Sequence, residues 1–291
     1  MKAMENEHPI AGLCEAFGVS RSGYHRWRDA APSARACEDA RISEVLREAH
    51  GRSRQTYGRP RLQRELRARG MRHSQRRIAR LMQRAGLCGV QRGRFKPCTT
   101  DSAHGREPAP NWLGKMPMPS LPNQIWVADI TYVWTEEGWL YVAGVLDLCT
   151  RRILDLAGAE HLETSLPETA LAQAIHRSGT AAGLPFGHEL RAEWLHHSDR
   201  GVQYASERYT ALLEKSGITP SMSRRANCYD NAHMESFWGT LKAELVSRYR
   251  FATRREAWLA ILDYVETFYN RVRLHSALGY HSPVDYQNNL N

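Results

Sequence analysis

Residues 124–133 read Gln-Ile-Trp-Val-Ala-Asp-Ile-Thr-Tyr-Val, an apolar run that is broken by a single acid, Asp129. Such a run predicts a buried strand. A buried carboxylate costs free energy unless a metal ion or hydrogen bonds compensate its charge. Asp129 is therefore a stronger candidate for a functional residue than Asp147 or Asp155, which lie near strand ends where solvent or an ion pair is sufficient.

Two further acids complete a set of three candidate metal ligands. Asp199 closes a short apolar run that begins at Trp194, and Glu235 lies in a segment, residues 230–245, whose pattern indicates a helix. Carboxylates from two strands and a helix can converge on one point, and divalent cations such as Mg²⁺ prefer these oxygen ligands. Two such ions can bind the attacking and leaving oxygens of a phosphodiester.

The choice of Glu235 within its helix has two competitors, Asp230 and Glu244. At about 100° per residue, Glu244 lies about 180° and Asp230 about 140° from Glu235, so only one of the three can face the metals. Asn231 and Lys242 share the face of Glu235. Asp230 has a natural alternative role, because an acid stabilises a helix N-terminus.

Positive charge is concentrated at the N-terminal end of the chain. The 291 residues carry a net charge of +9, but residues 1–110 carry +12 and the remainder −3. Between residues 51 and 96 there are 15 basic side chains and one acid, Glu65. This asymmetry predicts binding to a polyanion such as DNA. The alternative is a solubilising surface, although such surfaces usually mix both signs.

The first 30 residues have the pattern of a helix-turn-helix. Gly18 can end one helix and Ser20 can cap the next. We expect Leu13, Phe17 and Val19 to form its apolar side. The second helix offers four polar or aromatic side chains for DNA contact: Arg21, Tyr24, Arg26 and Arg28.

A second helix-turn-helix is predicted by the same signals between residues 60 and 86. Gly70 breaks the first helix, and Ser74 caps a helix over residues 75–84. The apolar residues of that helix share one face, and its arginines occupy the others, as a recognition helix in the major groove requires. A helical hairpin that only packs is the alternative. The candidate DNA-contacting residues of this region are Arg59, Arg61, Arg76, Arg77, Arg80, Arg84, Arg92, Arg94 and Lys96.

The rest of the chain divides into a linker, a mixed α/β domain and a tail. Six of the thirteen prolines lie between residues 97 and 122, which indicates an irregular linker. Three strands, followed by alternating helices and strands, indicate a mixed α/β domain. The proposed boundaries are 1–50 and 51–91 for the two helix-turn-helix segments, 92–120 for the linker, 121–248 for the α/β core and 249–291 for a C-terminal helix and tail.

The spacing of the cysteines and the length of the apolar runs indicate the compartment in which the protein is located. None of the six cysteines has C-x-x-C spacing, so we expect free thiols in a reducing cytoplasm. The longest apolar run, residues 139–146, is too short to cross a bilayer. The sequence therefore predicts a soluble protein with no membrane partner.

Three long motifs carry a resemblance to a known family. They are His-His-Ser-Asp-Arg-Gly-Val-Gln-Tyr at 196–204, Ala-Asn-Cys-Tyr-Asp-Asn-Ala-His-Met-Glu-Ser-Phe-Trp-Gly-Thr-Leu-Lys at 226–242 and Tyr-Asn-Arg-Val-Arg-Leu-His-Ser at 269–276. Together they resemble the DDE transposases of bacterial insertion sequences, in particular the insertion-sequence-three family, whose catalytic domain is similar to retroviral integrase. The resemblance covers roughly residues 9–286.

The resemblance implies a fold and a set of site residues. The fold is α/β, a ribonuclease H-like mixed-sheet catalytic core with N-terminal all-α helix-turn-helix modules. The catalytic and metal-binding residues are Asp129, Asp199 and Glu235. The supporting and DNA-contacting residues are His197, Asn231, Lys242, Arg271 and Arg273. A solvated surface role for Lys242, and a role of Arg271 and Arg273 in closing the C-terminal fold, stay open as alternatives.

The resemblance also implies the activity and the partners. The expected enzyme is a Mg²⁺-dependent polynucleotidyl transferase, with Mn²⁺ able to substitute, that cleaves 3′ ends and joins strands at insertion-sequence ends. Its partners are double-stranded DNA with the element's terminal inverted repeats, further copies of itself on paired ends, and an upstream-frame protein or fusion, since the chain resembles the downstream reading frame product. The expected location is the bacterial cytoplasm, in association with the nucleoid.

Two rival functions use the same residues. A DNA-binding regulator would occupy the element's ends without cleaving them, and the intact acidic triad argues against it. A related nuclease would cut without strand transfer. Joined product from labelled ends distinguishes the transposase from the nuclease.

Overall fold

Five strands form one mixed sheet in the order β3-β2-β1-β4-β5. The structure is a computed structural model and describes residues 1–91, 108–181, 194–224 and 231–290. The strands are β1 (Ile125–Thr135), β2 (Gly138–Asp147), β3 (Ile153–Ala159), β4 (Leu195–Ser198) and β5 (Thr219–Met222). β1, β2 and β3 are successive antiparallel neighbours, whereas β4 is parallel to β1 and β5 is parallel to β4.

Helices cover both faces of this sheet. α6 (Ser165–Ala181) and α7 (Glu207–Lys215) pack on one side, with a core that contains Trp126, Ala128 and Leu171. α8 (Ala232–Glu244) and α9 (Arg254–Asp263) pack on the other. Successive side chains of β1 point to opposite faces of the sheet, and helices cover both faces. This explains why the sequence is apolar both before and after Asp129. The mixed sheet with two helical layers confirms the predicted fold class.

The close packing of α8 on the sheet depends on a glycine in β2. Gly144 is the register partner of Asp129. A Cβ atom at Gly144 would lie 2.7 Å from Met234 Cε and 3.1 Å from Trp238 Cη2. The missing side chain therefore lets the first two turns of α8 lie directly over the middle of β1 and β2.

The N-terminal region is helical, as predicted, although two of its apolar residues are not buried. Its helices are α1 (Ile10–Ala16), α2 (Arg21–Asp29), α3 (Ala34–Arg52), α4 (Arg59–Ala68) and α5 (Gln75–Arg84). The predicted caps Ser20 and Ser74 accept hydrogen bonds from backbone N–H groups of α2 and α5. The expected apolar side is wrong for Phe17 and Val19, which are 55% and 44% exposed, because α1 and α2 are too short to enclose them.

Helix α3 crosses the boundary that the sequence suggested between residues 50 and 51. Its buried residues Ile42 and Leu46 share one core with Leu62 of α4 and Ile78 of α5. A cut after residue 50 would separate Ile42 and Leu46, and all but the last two residues of α3, from that core. We therefore propose that the second helical module begins at Ala34 and consists of α3, α4 and α5.

The C-terminal helix predicted within residues 249–291 changes its geometry along its length. α9 ends at Asp263, and a π-helical segment, Tyr264–Tyr269, continues it. The tail, for which the sequence showed no periodicity, contains the short helix α10 (Pro283–Asn288). The C-terminal region also touches the N-terminal module, since the Tyr57 hydroxyl donates to the Val272 carbonyl at 3.1 Å.

Single-turn 3-10 helices complete the described elements, at Lys2–Met4, Leu113–Lys115, Val246–Arg248 and Ser276–Leu278. The one at Leu113 falls in the predicted linker, where the Trp112 N–H donates to Ser221 Oγ at 3.0 Å. The end of the linker is thus attached to β5.

Within the described ranges, no helix is long and apolar enough to span a membrane.

Candidate active site

Strand register brings Asp129 and Asp199 to the same place. Val127 of β1 is paired with His197 of β4 in parallel orientation. Asp129 and Asp199 each follow two residues later, where β4 has ended and β1 continues without a partner on that side. Two residues restore the same direction of the side chain along a strand. The register therefore brings Asp199 toward the same edge of β1 as Asp129, near enough for its charge to act on Asp129.

The electrostatics of Asp129 reflect this crowding. Burial raises the pKa of Asp129 well above its usual range, and the nearby charges of Asp199 and Glu235 raise it further. The Ile130 N–H donates to Asp129 Oδ1 at 2.9 Å, which opposes the rise. Three negative charges in one partly buried site would be stabilised by a cation, because like charges in a common site cannot all remain ionised without one.

Asp199 is held by the turn that follows it. Its Oδ1 accepts a hydrogen bond from the Gly201 N–H at 3.0 Å. A Cβ atom at Gly201 would lie 3.1 Å from the same oxygen. The Arg200 side chain leaves in the other direction and donates to the Ser223 carbonyl at 2.7 Å. This turn therefore needs a small residue after Arg200 and directs Asp199 toward β1.

Glu235 reaches the site from the first turn of α8 and is exposed. Partial burial raises the pKa of its carboxyl. The start of α8 is tied to β1 beside Asp129, because Asn231 Nδ2 donates to the Ala128 carbonyl at 3.0 Å. Glu244, one of the two alternatives to Glu235, is buried on the opposite side of α8, where Arg273 donates to it at 2.7 Å. The other alternative, Asp230, lies outside the described residues.

The oxygen atoms of these residues are of the type that a divalent cation binds, although the described side chains do not form a compact cluster of three ligands. No group of three or more His, Cys, Asp or Glu side chains that could hold a metal ion occurs in the part of the chain that the structure describes. The Asn231 Oδ1 is buried and has no hydrogen-bond partner among those residues. Carboxylate and amide oxygens are the ligands that Mg²⁺ prefers. In this structure the link between the three carboxylates is electrostatic, since the charges of Asp199 and Glu235 raise the pKa of Asp129.

The two histidines before Asp199 are internal. His197 is fully buried, and its ring nitrogens lie 2.8 Å from Ser221 Oγ and 3.1 Å from Ser223 Oγ. Because His197 is not exposed, it can orient β4 but cannot contact DNA in this conformation. His196 lies 3.0 Å from the Tyr209 hydroxyl, and burial, with a smaller contribution from His197, lowers its pKa to about 3.

Lys242 lies on the same face of α8 as Glu235. Its Nζ is 4.9 Å from the centre of the Tyr132 ring. Burial lowers the pKa of Lys242, whereas the charge of Asp129 opposes that change. The ammonium group is therefore held beside the carboxylates by an aromatic ring, which argues against a merely solvated side chain.

Sequence reasoning assigned no role to Tyr204, which the structure places at the site. It is 2% exposed, and its hydroxyl has no hydrogen-bond partner within the described residues. Burial, Tyr209 and the charges of Asp129 and Asp199 raise its pKa well above its usual range. Its position five residues after Asp199 was the available signal, but a buried tyrosine is ordinarily a packing residue.

The predicted DNA-contacting arginines fall into different environments. Arg77 and Arg80 form ion pairs with Asp39 of α3 at 2.7 Å and 2.9 Å. Arg273 is buried against Glu244, so the alternative that it closes the C-terminal fold fits its position. Arg61 donates to the Leu274 carbonyl, and Arg271 donates to the Glu266 carbonyl. Arg59, Arg76 and Arg84 are exposed. Arg92, Arg94 and Lys96 lie outside the described residues.

Comparison with protein families matches both parts of the chain. Residues 119–228 and 216–283 match the integrase core domain family, and residues 37–95 match the HTH-like domain family. Two solved structures overlay on the chain. A chain of the simian T-cell lymphotropic virus intasome covers 65% of this chain and 60% of its own length (14% identity, TM-score 0.46). The HTLV-2 integrase catalytic core, in complex with magnesium, covers 57% and 97% (16% identity, TM-score 0.42).

Two bacterial relatives match over nearly their whole length. The chain is 46% identical to the insertion element IS600 uncharacterized 31 kDa protein of Shigella sonnei, over 94% of this chain and 97% of that protein. It is 35% identical to the transposase InsF for insertion sequence IS3A of Escherichia coli strain K12, over 97% of this chain and 95% of that protein. The chain belongs to the IS3 family of insertion-sequence transposases, which the resemblance had indicated.

Proposed function

We propose that this transposase cleaves the 3′ ends of its own insertion sequence and joins them to a target by phosphoryl transfer at Asp129, Asp199 and Glu235. The observation that supports the proposal is the pairing of Val127 with His197, which brings Asp129 and Asp199 toward the same edge of β1. The raised pKa of Asp129 supports it, because a buried carboxylate among like charges is typical of a cation-binding catalytic site.

The ligands would be shared between two metal ions. The charges of Asp199 and Glu235 both act on Asp129. Asp129 would therefore bind both metal ions, whereas Asp199 would complete the ligands of one ion and Glu235 those of the other. When bound, two Mg²⁺ ions, or Mn²⁺ in their place, supply activation of a water or 3′-hydroxyl and stabilisation of the leaving 3′-oxygen. No side chain would act as the nucleophile, so no covalent enzyme–DNA intermediate would form.

The surrounding residues would position these groups. Asn231 fixes the start of α8 against Ala128 and so sets the distance of Glu235 from Asp129. His197 ties the end of β4 to Ser221 and Ser223, which keeps Asp199 in register. Lys242, held over Tyr132, would bind a non-bridging phosphate oxygen beside the carboxylates.

The proposed substrate is double-stranded DNA that carries the terminal inverted repeats of the element. After cleavage at one end, the freed 3′-hydroxyl would attack the same strand near the other end and give a circular intermediate. The helical modules would recognise the repeats. We further propose that the transposase acts as a homo-oligomer on paired ends, alone or with an upstream-frame protein or fusion.

The test is strand cleavage and joining on end-labelled DNA from the element's own terminus. We expect cleaved and joined products with Mg²⁺ and none with EDTA. A variant with Asp199→Asn should bind the DNA and give neither product. Glu214→Gln is the matched control, because Glu214 is an exposed carboxylate on α7, away from the site, and it should behave as the unmodified protein.

The same assay separates the rival functions. Cleavage without joined product would favour a nuclease. Tight binding without cleavage would favour a regulator, unless addition of the upstream-frame fusion restores both products. Metal-dependent activity that survives Asp199→Asn would contradict the proposed site.

A further inference from the structure

Two arginines of α5 are already neutralised inside the helical module. Arg77 donates to Asp39 at 2.8 Å and to Glu38 at 2.7 Å, and Arg80 donates to Asp39 at 2.9 Å. Both acids belong to α3. These contacts attach α5 to α3, so Arg77 and Arg80 contribute little net charge toward a ligand.

A cavity at the turn between α4 and α5, in contrast, is lined by basic side chains, of which the two arginines are not used in ion pairs within the described residues. It has a volume of about 550 Å³ and is lined by Arg67, Arg72 and His73. Arg67 and Arg72 are exposed, and neither makes a hydrogen bond or ion pair with any residue that the structure describes. The nearest acid to His73 is Glu38, at 4.0 Å, and Glu38 is already paired with Arg77. Among the described residues, the cavity therefore has two guanidinium charges without a counter-charge.

Such a cavity selects an anion with several oxygens. Guanidinium groups bind phosphate oxygens in pairs, which makes arginine the usual residue for this recognition. The position favours a phosphate of DNA over a free anion, because the cavity directly precedes α5. Exposed Arg76 and Arg84, which have no partner within the described ranges, lie on that helix. In a helix-turn-helix, residues beside the recognition helix contact the backbone that flanks the groove.

We propose that the cavity lined by Arg67, Arg72 and His73 binds a backbone phosphate of duplex DNA and sets the position of α5, whereas Arg77 and Arg80 are structural residues. This proposal rests on the proposed function, in which the helical module binds the element's ends. A phosphate contact carries no sequence information, so its loss should weaken binding to all duplexes alike.

The test is the salt dependence of DNA binding by the full-length chain. Fluorescence anisotropy would give the Kd for a terminal-repeat duplex and a random duplex over a series of salt concentrations. For Arg67→Ala/Arg72→Ala we expect a loss of about tenfold or more on both duplexes. The slope of log K against log salt should also become shallower by about one for each arginine removed.

The matched control is Arg41→Ala/Arg47→Ala, which removes the same charge from the exposed side of α3, outside the cavity. Equal slopes for the cavity and control variants would overturn the proposal. So would calorimetric binding of inorganic phosphate that depends on Arg67 and Arg72 while DNA affinity does not. If neither the unmodified chain nor its upstream-frame fusion bound DNA, the proposed function itself would fail, and this outcome is distinct because it precedes any variant.

Discussion

At the scale of single residues, the unusual setting of Asp129 was predictable from the sequence and the settings of the arginines were not. Asp129 stands out in the sequence because an acid in a long apolar run needs a compensating partner. An arginine in a basic segment carries no such signal. Arg77 and Arg76 are neighbours, yet one is paired with Glu38 and Asp39 and the other is exposed. That difference is set by the position of α3, which lies about 40 residues away in the sequence.

Tyr204 and His196 show the same limit of sequence reasoning. Both lie in the motif that ends β4, but their burial depends on α7, which packs Tyr209 against each ring. A contact of this kind is formed by tertiary packing, so no local pattern predicts it.

His196 should make stability depend on pH. Burial holds its pKa at about 3, against an ordinary value of 6.5. The unfolded chain therefore takes up a proton below 6.5 that the folded chain does not. The contribution of this group to stability is complete above that value and decreases as the pH falls from 6.5 toward 3. The slope is at most about 1.4 kcal/mol per pH unit.

The measurement is the free energy of urea unfolding at several pH values between about 7 and 5, for the unmodified chain and for His196→Gln. The variant keeps a polar group near the Tyr209 hydroxyl but does not titrate in this range. We expect the unmodified chain to lose more stability on acidification than the variant does. Parallel curves for the two proteins would show that His196 is not buried in its neutral form.

At the scale of elements, caps and periodicity placed the helices well. Gly70 and Gly86 end α4 and α5 with positive φ, and Ser74 caps α5. The apolar run at residues 124–133, which predicted a buried strand, lies almost entirely within β1. The sequence did not predict the change to π-helical geometry after Asp263, a segment in which Tyr264 donates to Glu244 of α8 and the Phe268 ring packs against Tyr57.

The contact between β2 and α8 gives a prediction about the site. Gly144→Ala would place a methyl group 2.7 Å from Met234 Cε and 2.8 Å from Leu156 Cδ2. Overpacking of this kind costs about 1–3 kcal/mol. Because α8 carries Glu235, the displacement should lower the cleavage rate, with DNA affinity less affected.

Gly179→Ala is the matched control, since nothing lies within 4 Å of a Cβ atom at that helical position. Alanine has the higher helix propensity, so this variant should be neutral or slightly more stable. Thermal unfolding and the cleavage rate would both be measured. A Gly144→Ala protein that is as stable and active as the control would refute the close packing of α8.

At the scale of the whole molecule, one buried cluster joins the helical module, the catalytic core and the C-terminal region. Glu244 of α8 accepts hydrogen bonds from Tyr264 and Arg273, and Arg61 of α4 approaches it at 3.9 Å. Burial tends to raise the pKa of Glu244, but the hydrogen bonds and charge of Arg273 lower it below its ordinary value. The sequence suggested Arg61 and Arg273 as possible DNA contacts, with closing of the C-terminal fold as the alternative for Arg273, and it did not predict the cluster because its members come from three separate parts of the chain.

Loss of Arg273 should destabilise the whole chain. Arg273→Ala leaves a buried carboxylate without its main partner, which costs about 3–5 kcal/mol. Arg271→Ala is the control, because Arg271 is exposed and its guanidinium donates to a backbone carbonyl. We expect the control to change the unfolding free energy by about 0.5 kcal/mol or less. Equal effects of the two substitutions on urea unfolding would contradict the structural role of Arg273.

The central claim is that Asp129, Asp199 and Glu235 form one metal-dependent catalytic unit in an IS3-family transposase. The most direct measurement compares DNA affinity and joined product for Asp129→Asn, Asp199→Asn, Glu235→Gln and the control Glu214→Gln, with Mg²⁺ and with Mn²⁺. We predict that the first three bind DNA as the unmodified chain does and lose joined product by about a thousandfold or more, as expected for residues that act as a unit. Substantial joining by any one of these three, with either metal, would contradict the claim.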